Sequence, residues 1–194
     1  MGLTRYQLIV IGGSAGSAAA LTELLPVFPI DYPLPIVVAQ HLHPWQDDSF
    51  VERYVGRCAM RVKVADEKEP VQAGSIYFAP ANYHLLIEDD QTFSLSIDEK
   101  VNYARPAIDI LFESAADAYA PGLVGVILTG ANNDGAAGLR LIKQKGGLAI
   151  VQDPKTADSA YMPRAAIEAA RADYVLAVPD IGQLLLDIAR KKMS

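Results

Sequence analysis

Short runs of apolar, mostly β-branched residues recur along the chain, and most of them are separated by Ala- and Leu-rich stretches with helical spacing. The apolar runs predict strands at residues 8–11, 36–39, 61–64, 123–128, 148–151 and 174–178. The stretches between them predict helices at residues 17–25, 49–55, 106–118, 136–145, 163–170 and 181–190. This alternation is typical of a three-layer α/β fold, in which a doubly wound, mainly parallel sheet carries helices on both faces.

The segment from residue 75 to residue 97 departs from this alternation. Its sequence, SIYFAPANYHLLIEDDQTFSLSI, contains alternating stretches around the acidic turn Glu88-Asp89-Asp90. A period of two on either side of a turn predicts an antiparallel hairpin, which we expect to be attached to the main sheet. No internal repeat, low-complexity tract or linker interrupts the sequence, so we expect residues 1–194 to form a single domain.

Composition and charge narrow the class of protein. The 194 residues are 51% hydrophobic and 21% charged, as in ordinary globular domains. A formal net charge of -6 argues against a surface for nucleic acid, which needs clustered Lys and Arg. No apolar run reaches the length of a membrane span and no leader precedes the first strand, so we expect a cytoplasmic protein without membrane insertion. The lone Cys58 cannot form an internal disulfide, which agrees with that compartment.

Candidate chemistry begins at the turn after the first predicted strand, where residues 12–16 are GGSAG. This is a G-x-S-x-G pattern, whose small residues let a strand-to-helix turn expose the hydroxyl of Ser14. Backbone N–H groups at the start of the following helix are then free to bind an anion. A purely structural tight turn explains the pattern equally well. A G-x-G-x-x-G dinucleotide fingerprint does not fit, because its second and third glycines fall on Ser14 and Ser17.

Two further side chains are predicted to join Ser14 at the carboxyl edge of the sheet. His41 follows the second predicted strand, and Asp134 follows the predicted strand within VGVILTG. Ligands of open parallel sheets gather in the crevice at this edge. A serine nucleophile needs a base, and the base needs a carboxylate to orient it, so Ser14, His41 and Asp134 predict a hydrolytic triad.

These histidine and aspartate candidates also have structural interpretations. Asp134 lies before a predicted helix, where a capping carboxylate is common, and His41 is equally well explained as a hydrogen-bonded residue at a strand end. His43 competes with His41 for the role of base, and His84 is expected at the surface or in packing contacts. His41 and His43 would point to opposite faces of an extended segment, and no His/Cys cluster supplies further ligands, so no metal site is predicted.

Six blocks of sequence together span nearly the whole chain: VIGGSAGS, VVAQHLHP, ARPAIDILFESAA, GVILTGANNDGAAG, VQDPKTADSAYMPRAA and YVLAVPDIGQLL. They resemble the CheB-type protein-glutamate methylesterases of bacterial chemotaxis. The resemblance places the family's nucleophile at Ser14, its histidine at His41 and its catalytic aspartate at Asp134. It implies a serine hydrolase that removes methyl groups from glutamate γ-methyl esters of chemoreceptors, releases methanol and sometimes deamidates receptor glutamines. This chemistry requires no metal or organic cofactor.

The resemblance also implies an oxyanion and substrate-binding set. Backbone groups at Ala15, Gly16 and Ala131 are expected around the oxyanion. Arg105 has two open interpretations, a bidentate contact with the acidic receptor helix or a scaffold salt bridge to Asp109. The expected partners are the cytoplasmic helices of methylated chemoreceptors or a related signalling protein, with a separate receiver or methyltransferase as a further partner.

Departures from the family pattern bear on activity. Ala15 replaces the threonine after the nucleophile, Ser17 replaces the second glycine of the turn, and Ala131 and Asn132 replace a Met and a Gly. These changes leave open an alternative function, a catalytically weakened regulatory or binding module of a chemotaxis-like signalling system. Family members commonly carry an N-terminal receiver domain, whereas this sequence begins directly with the first predicted strand, so no receiver domain is expected within it.

Overall fold

The structure is a computed structural model, and it describes residues 6–42 and 46–190. Its strands are β1 (Leu8–Gly13), β2 (Ile36–Gln40), β3 (Arg61–Val64), β4 (Ser75–Phe78), β5 (His84–Ile87), β6 (Phe93–Ser96), β7 (Leu123–Ile127), β8 (Leu148–Gln152) and β9 (Tyr174–Leu176). Its α-helices are α1 (Ser17–Leu24), α2 (Ile108–Tyr119), α3 (Ala136–Gln144), α4 (Tyr161–Ala170) and α5 (Val178–Arg190). Short 3₁₀ helices cover Leu25–Val27 and Asp48–Arg53.

The main sheet has seven strands in the order β3-β4-β2-β1-β7-β8-β9. All of its neighbouring strands are parallel. β1 lies at the centre, because β2 pairs with one of its edges and β7 with the other. The order of the strands reverses on either side of β1, which confirms the predicted doubly wound α/β fold.

Two separate hydrophobic cores cover the two faces of this sheet. Along β1, Leu8 and Val10 pack in the same core as residues of α2, α3 and α4, whereas Ile9 and Ile11 pack with residues of α1 and α5. Successive side chains of a strand point to opposite faces, so a strand that is buried on both faces is apolar throughout. The unbroken apolar runs that predicted the strands are therefore a consequence of the three-layer arrangement.

The predicted hairpin insert is divided between two sheets. Ser75–Phe78 forms β4, a parallel strand of the main sheet between β3 and β2, and all four of its residues are buried. The antiparallel hairpin consists only of β5 and β6, which form a separate two-stranded sheet whose apolar side chains pack in the same core as α2. The predicted extent of the hairpin and its attachment to the main sheet are wrong, because alternation along a sequence does not reveal the partner of a strand.

Several predicted helices begin at different residues in the structure. The helix predicted at residues 49–55 is the 3₁₀ helix Asp48–Arg53. α2 begins at Ile108 and not at residue 106. α4 and α5 begin at Tyr161 and Val178 rather than at residues 163 and 181. The prolines at 163 and 179 fall inside the first turns of these two helices, where no N–H donor is needed.

Two classes of feature are not found in the described part of the chain. Across residues 6–42 and 46–190, every helix is too short or too polar to cross a lipid bilayer. The same residues contain no group of three or more His, Cys, Asp or Glu side chains that could hold a metal ion. His43, the competing base candidate, lies outside the described residues.

Candidate active site

The carboxyl ends of three neighbouring strands bring the predicted triad together. β1 lies between β2 and β7, and Ser14, His41 and Asp134 lie beyond the carboxyl ends of these three strands. The chain leaves the central strands towards opposite sides here, so the crevice is the topological switch point of the sheet. The fold therefore places His41 and Asp134, which are 93 positions apart in sequence, within hydrogen-bonding distance.

Ser14 lies in a tight turn between β1 and α1. Its N–H donates to the Thr129 carbonyl at 3.0 Å, and its own carbonyl accepts from the Ser17 N–H at 2.9 Å. Glycines are required on both sides of the serine. A Cβ atom on Gly13 would lie 2.6 Å from the Ser17 Cβ atom, and Gly16 has a left-handed φ of 79°. The turn is therefore held rigidly at its backbone, with the Ser14 side chain half-buried at the crevice.

The imidazole of His41 bridges the serine and the aspartate. Its Nδ1 atom is 3.2 Å from Ser14 Oγ, and its Nε2 atom is 2.7 Å from Asp134 Oδ2. An ionised carboxylate can only accept a hydrogen bond, so Nε2 carries the proton and donates to Asp134. Nδ1 is then the basic nitrogen that accepts from the serine hydroxyl. The Asn132 amide, whose Nδ2 atom is 3.4 Å from Nδ1, is a second donor on the same side.

Asp134 is a fully buried carboxylate with four hydrogen-bond donors. Oδ2 accepts from His41 and from the Ile108 N–H, both at 2.7 Å. Oδ1 accepts from the Asp109 N–H at 3.1 Å and from Asn102 Nδ2 at 2.9 Å. Burial alone would raise the pKa of Asp134, but the hydrogen bonds, that from His41 first, hold it below its ordinary value. The carboxylate is therefore ionised at neutral pH and matched to an imidazole donor.

The backbone donors to Asp134 come from the first turn of α2. The N–H groups of Ile108 and Asp109 have no partner inside their own helix, and the positive end of the helix dipole favours an anion beside them. Asp134 therefore caps α2. Its alternative interpretation as a cap of the following helix is wrong, because α3 begins after Gly135 without a side-chain cap. One carboxylate thus both starts a helix and orients His41.

Two polar residues behind Asp134 were not predicted as part of the site. Asp109 is buried, and its Oδ1 accepts from the Gly138 N–H at 2.7 Å. Asn102 donates to Asp109 Oδ2 at 3.0 Å as well as to Asp134. Burial raises the pKa of Asp109, and the charge of Asp134 raises it further against the hydrogen bond from Gly138. The only sequence signal for Asp109 was its place at a helix start, and Asn102 belongs to no motif.

Comparison with known proteins places this chain in a family. A sequence model described as CheB methylesterase matches residues 9–185, which include Ser14, His41 and Asp134. The chain belongs to the CheB methylesterase family. Its fold is also that of a solved family member, the CheB methylesterase catalytic domain of Thermotoga maritima. That structure superposes with a TM-score of 0.90 at 35% identity, over 94% of this chain and 98% of the other.

Relatives in the CheB family differ in how much of their length this chain covers. It is 50% identical over 189 residues to a Leptospira interrogans protein provisionally named protein-glutamate methylesterase/protein-glutamine glutaminase, and covers 98% of that protein. It is 35% identical over 185 residues to the Thermotoga maritima protein-glutamate methylesterase/protein-glutamine glutaminase, and covers 54% of it. The chain thus spans the Leptospira relative and about half the length of the Thermotoga relative.

The predicted oxyanion residues of this CheB-family chain lie around the serine turn. Because the Ser14 N–H already donates to the Thr129 carbonyl, it is not available to a bound anion. In the described part of the chain, nothing accepts from the N–H groups of Ala15, Gly16 or Ala131. Ala15 and Ala131 are also solvent-exposed. These backbone groups satisfy one requirement of an oxyanion hole, and their role in binding substrate stays a prediction.

Arg105 lies at the opening beside His41. Its Nη1 atom donates to the carbonyls of Ile97 at 2.6 Å and Asp98 at 2.9 Å. The alternative of a salt bridge to Asp109 is wrong, because that carboxylate accepts from Asn102 and Gly138 instead. A cavity of about 190 Å³ is lined by Arg105 together with His41, Lys100 and Asn132. Arg105 therefore lines the cavity beside His41, while its guanidinium supports the loop before α2.

Proposed function

We propose that this chain is a serine hydrolase that removes methyl groups from glutamate γ-methyl esters of chemoreceptors and also deamidates receptor glutamines. The observation that carries the proposal is the hydrogen-bonded series from Ser14 through His41 to the buried, ionised Asp134. Membership of the CheB family and the names of the relatives supply the class of substrate. The proposed partners are the helices of methylated chemoreceptors or a related signalling protein, with a receiver or methyltransferase as a further partner.

In the first half of the reaction, the serine attacks the ester. His41 Nδ1 accepts the hydroxyl proton as Ser14 Oγ forms a bond to the ester carbonyl carbon, and Asp134 stabilises the resulting imidazolium through Nε2. The negative charge that develops on the carbonyl oxygen is bound by free backbone N–H groups next to the serine. Collapse of this intermediate breaks the bond to the methoxy oxygen, which takes the proton from His41 and leaves as methanol.

In the second half, water releases the acyl group. His41 accepts a proton from water as its oxygen attacks the acyl carbon, and the bond to Ser14 Oγ breaks with return of the proton to the serine. The product is a glutamate carboxylate. A glutamine side chain follows the same course, with ammonia as the first leaving group. Each step uses side chains and backbone groups of this chain, and no step requires a metal or an organic cofactor.

Methanol release from methylated receptor fragments tests the proposal. Native chain should release methanol, and Ser14→Ala should reduce the rate to that of the uncatalysed reaction because it removes the nucleophile. Ser49→Ala, which removes an exposed hydroxyl in the 3₁₀ helix Asp48–Arg53, is the control and should match the native rate. Equal rates for native chain and Ser14→Ala would contradict the proposal and favour the alternative regulatory module.

A further inference from the structure

A single side-chain amide lies between two buried carboxylates behind the candidate triad. Asn102 Nδ2 is 2.9 Å from Asp134 Oδ1 and 3.0 Å from Asp109 Oδ2. An amide nitrogen has two hydrogens, so it can donate one to each carboxylate. The ionised carboxylate of Asp134 only accepts, which fixes the amide with its nitrogen towards both carboxyl groups. Asn102 thus bridges two buried carboxyl groups.

The backbone around Asn102 forms a tight turn with left-handed residues. Asn102 and Tyr103 have left-handed φ angles of 50° and 63°, and the flanking Val101 and Ala104 exchange backbone hydrogen bonds at 3.2 and 2.9 Å. Asparagine tolerates the left-handed region better than most residues, but it is not required there, because glycine adopts it freely. Turn geometry alone therefore does not explain why the position carries an amide that reaches the active site.

Asp109 gives the amide a fixed support. It lies in the first turn of α2, is buried, and is held on its other oxygen by the Gly138 N–H of α3 at 2.7 Å. The charged groups that face this cluster are His41 and Asp134 on the crevice side and Glu113 one turn along α2. Only His41 among them is a partner that can become positive. Without the amide, Asp109 Oδ2 and Asp134 Oδ1 would each lose the hydrogen bond that Asn102 donates to them.

We propose that Asn102 is a positioning residue that acts through Asp134, with Asp109 as the support of its amide. It completes the donor set of Oδ1, so that Oδ2 stays directed at His41 Nε2 and the imidazole stays directed at Ser14. A misdirected imidazole slows proton transfer from Ser14 Oγ, because the reacting atoms are no longer aligned. The inference rests on the proposed serine-hydrolase chemistry of this site, but not on the identity of its ester.

Two substitutions separate this function from a role in turn geometry. Asn102→Gly keeps the left-handed backbone and removes the amide. Asn102→Asp keeps the size and the tolerance for left-handed φ, but places a third acceptor where a donor stood. A turn role predicts that both variants are tolerated. A positioning role predicts that both lose activity and that Asn102→Asp, which adds repulsion, loses more. The exchange Asn102→Asp with Asp109→Asn restores two carboxylates and one amide, and should recover part of the loss.

The rate of Ser14 labelling by a serine-directed phosphonate, measured on the full chain, is the decisive readout, with methanol release for kcat and KM. We expect Asn102→Gly to lower the labelling rate and kcat by about 10-fold, with a smaller effect on KM, by analogy with the loss when the partner of a metal-bound histidine is removed. Gln91→Gly is the matched control, because Gln91 is an exposed residue with a left-handed φ of 65° in the turn between β5 and β6. It should label at the native rate.

The outcomes are distinguishable from failure of the proposed function. Native rates for Asn102→Asp, or equal rates for Asn102→Gly and Gln91→Gly, would overturn the inference. Labelling of native Ser14 without methanol release would contradict the proposed ester, while the labelling rates of the variants would still decide the role of Asn102. Absence of labelling in the native chain would overturn both. If Asn102→Gly lost its native circular dichroism, the role of Asn102 would be decided by the labelling rates of two other variants. These are the nearly isosteric Asn102→Asp and the double variant Asn102→Asp with Asp109→Asn.

Discussion

The carboxylate of Asp134 combines a helix cap with the proposed role of orienting His41, two interpretations that the sequence leaves as alternatives. Its backbone donors belong to α2, and its side-chain donors are His41 and Asn102. Four donors around one buried anion offset the cost of removing it from water. The same contacts that start the helix therefore keep the group ionised for His41.

The ionisation of Asp134 predicts a pH dependence of stability. Folding lowers the pKa of Asp134 from 3.8, so its contribution to stability is fully present above that value and is lost as pH falls through the folded-state pKa. We expect the free energy of unfolding of the native chain to fall more steeply below about pH 4 than that of Asp134→Asn. Urea denaturation across this pH range measures both.

The matched control for this titration is Asp89→Asn, which changes an exposed carboxyl in the turn between β5 and β6. It should follow the pH dependence of the native chain. Parallel curves for the native chain and Asp134→Asn would contradict the lowered pKa of Asp134 and, with it, the ionised state on which the mechanism depends.

At the residue scale, Ser14, His41 and Asp134 were predictable because each follows an apolar run that ends at the same edge of the sheet. Asn102 was not, since its proposed role depends on a left-handed turn and on two carboxylates that approach it from α2 and from the loop after β7. No local pattern in the sequence encodes that approach.

At the scale of elements, the loop between β6 and α2 is supported by a buried histidine. His84 on β5 is 1% exposed, so it is a packing residue rather than a surface residue. Its Nδ1 atom accepts from the Ala107 N–H at 3.2 Å, and its Nε2 atom donates to the Glu99 carbonyl at 3.0 Å. The hairpin thus holds both ends of the segment that carries Asn102 and Arg105.

His84→Ala should destabilise the fold and slow the active site together. The buried Ala107 N–H loses its acceptor, which costs about 1–3 kcal/mol of unfolding free energy. The loosened loop should also lower the rate of Ser14 labelling by the phosphonate. Tyr83→Ala, at the exposed neighbouring position, should change stability by no more than about 0.5 kcal/mol. A native unfolding free energy for His84→Ala would contradict this role.

Helix starts illustrate what limited the prediction of elements. The helical pattern around residue 106 was visible in the sequence, but α2 begins at Ile108, where the Asp134 carboxylate receives its first N–H groups. The residue that caps this helix lies 26 positions away from Ile108. Periodicity reports which face of a segment is buried, whereas its first residue depends on a partner from elsewhere in the chain.

At the scale of the whole molecule, one sheet separates two cores that unfold together if the chain is a single domain, as we propose. Phe112 of α2 lies in one core and Leu185 of α5 in the other, and neither side chain is exposed. The strands contribute alternate side chains to both cores, so damage to one face weakens the sheet that supports the other. The stability of either face is therefore tied to the same seven strands.

Paired substitutions test this coupling. Phe112→Ala and Leu185→Ala should each lower the free energy of unfolding by about 2–5 kcal/mol, through lost burial and the cavity left behind. Both substitutions should shift the same single cooperative unfolding transition, measured by circular dichroism and by differential scanning calorimetry. Ile30→Ala, at a side chain that is 74% exposed, is the control and should leave the midpoint unchanged. Two transitions that respond separately to the two variants would contradict a single domain.

The sequence by itself determined the class of fold and the three candidate triad residues. Burial on both faces forces unbroken apolar runs, and the chain order of these runs places particular polar residues after particular strands. Only the tertiary structure decided that β4 joins the main sheet, that Asp134 caps α2, and that Asn102 lies between two carboxylates. The physical reason is that periodicity depends only on the environment of one segment. Strand pairing, helix capping and the contacts of Asn102 depend instead on which distant segments of the chain meet.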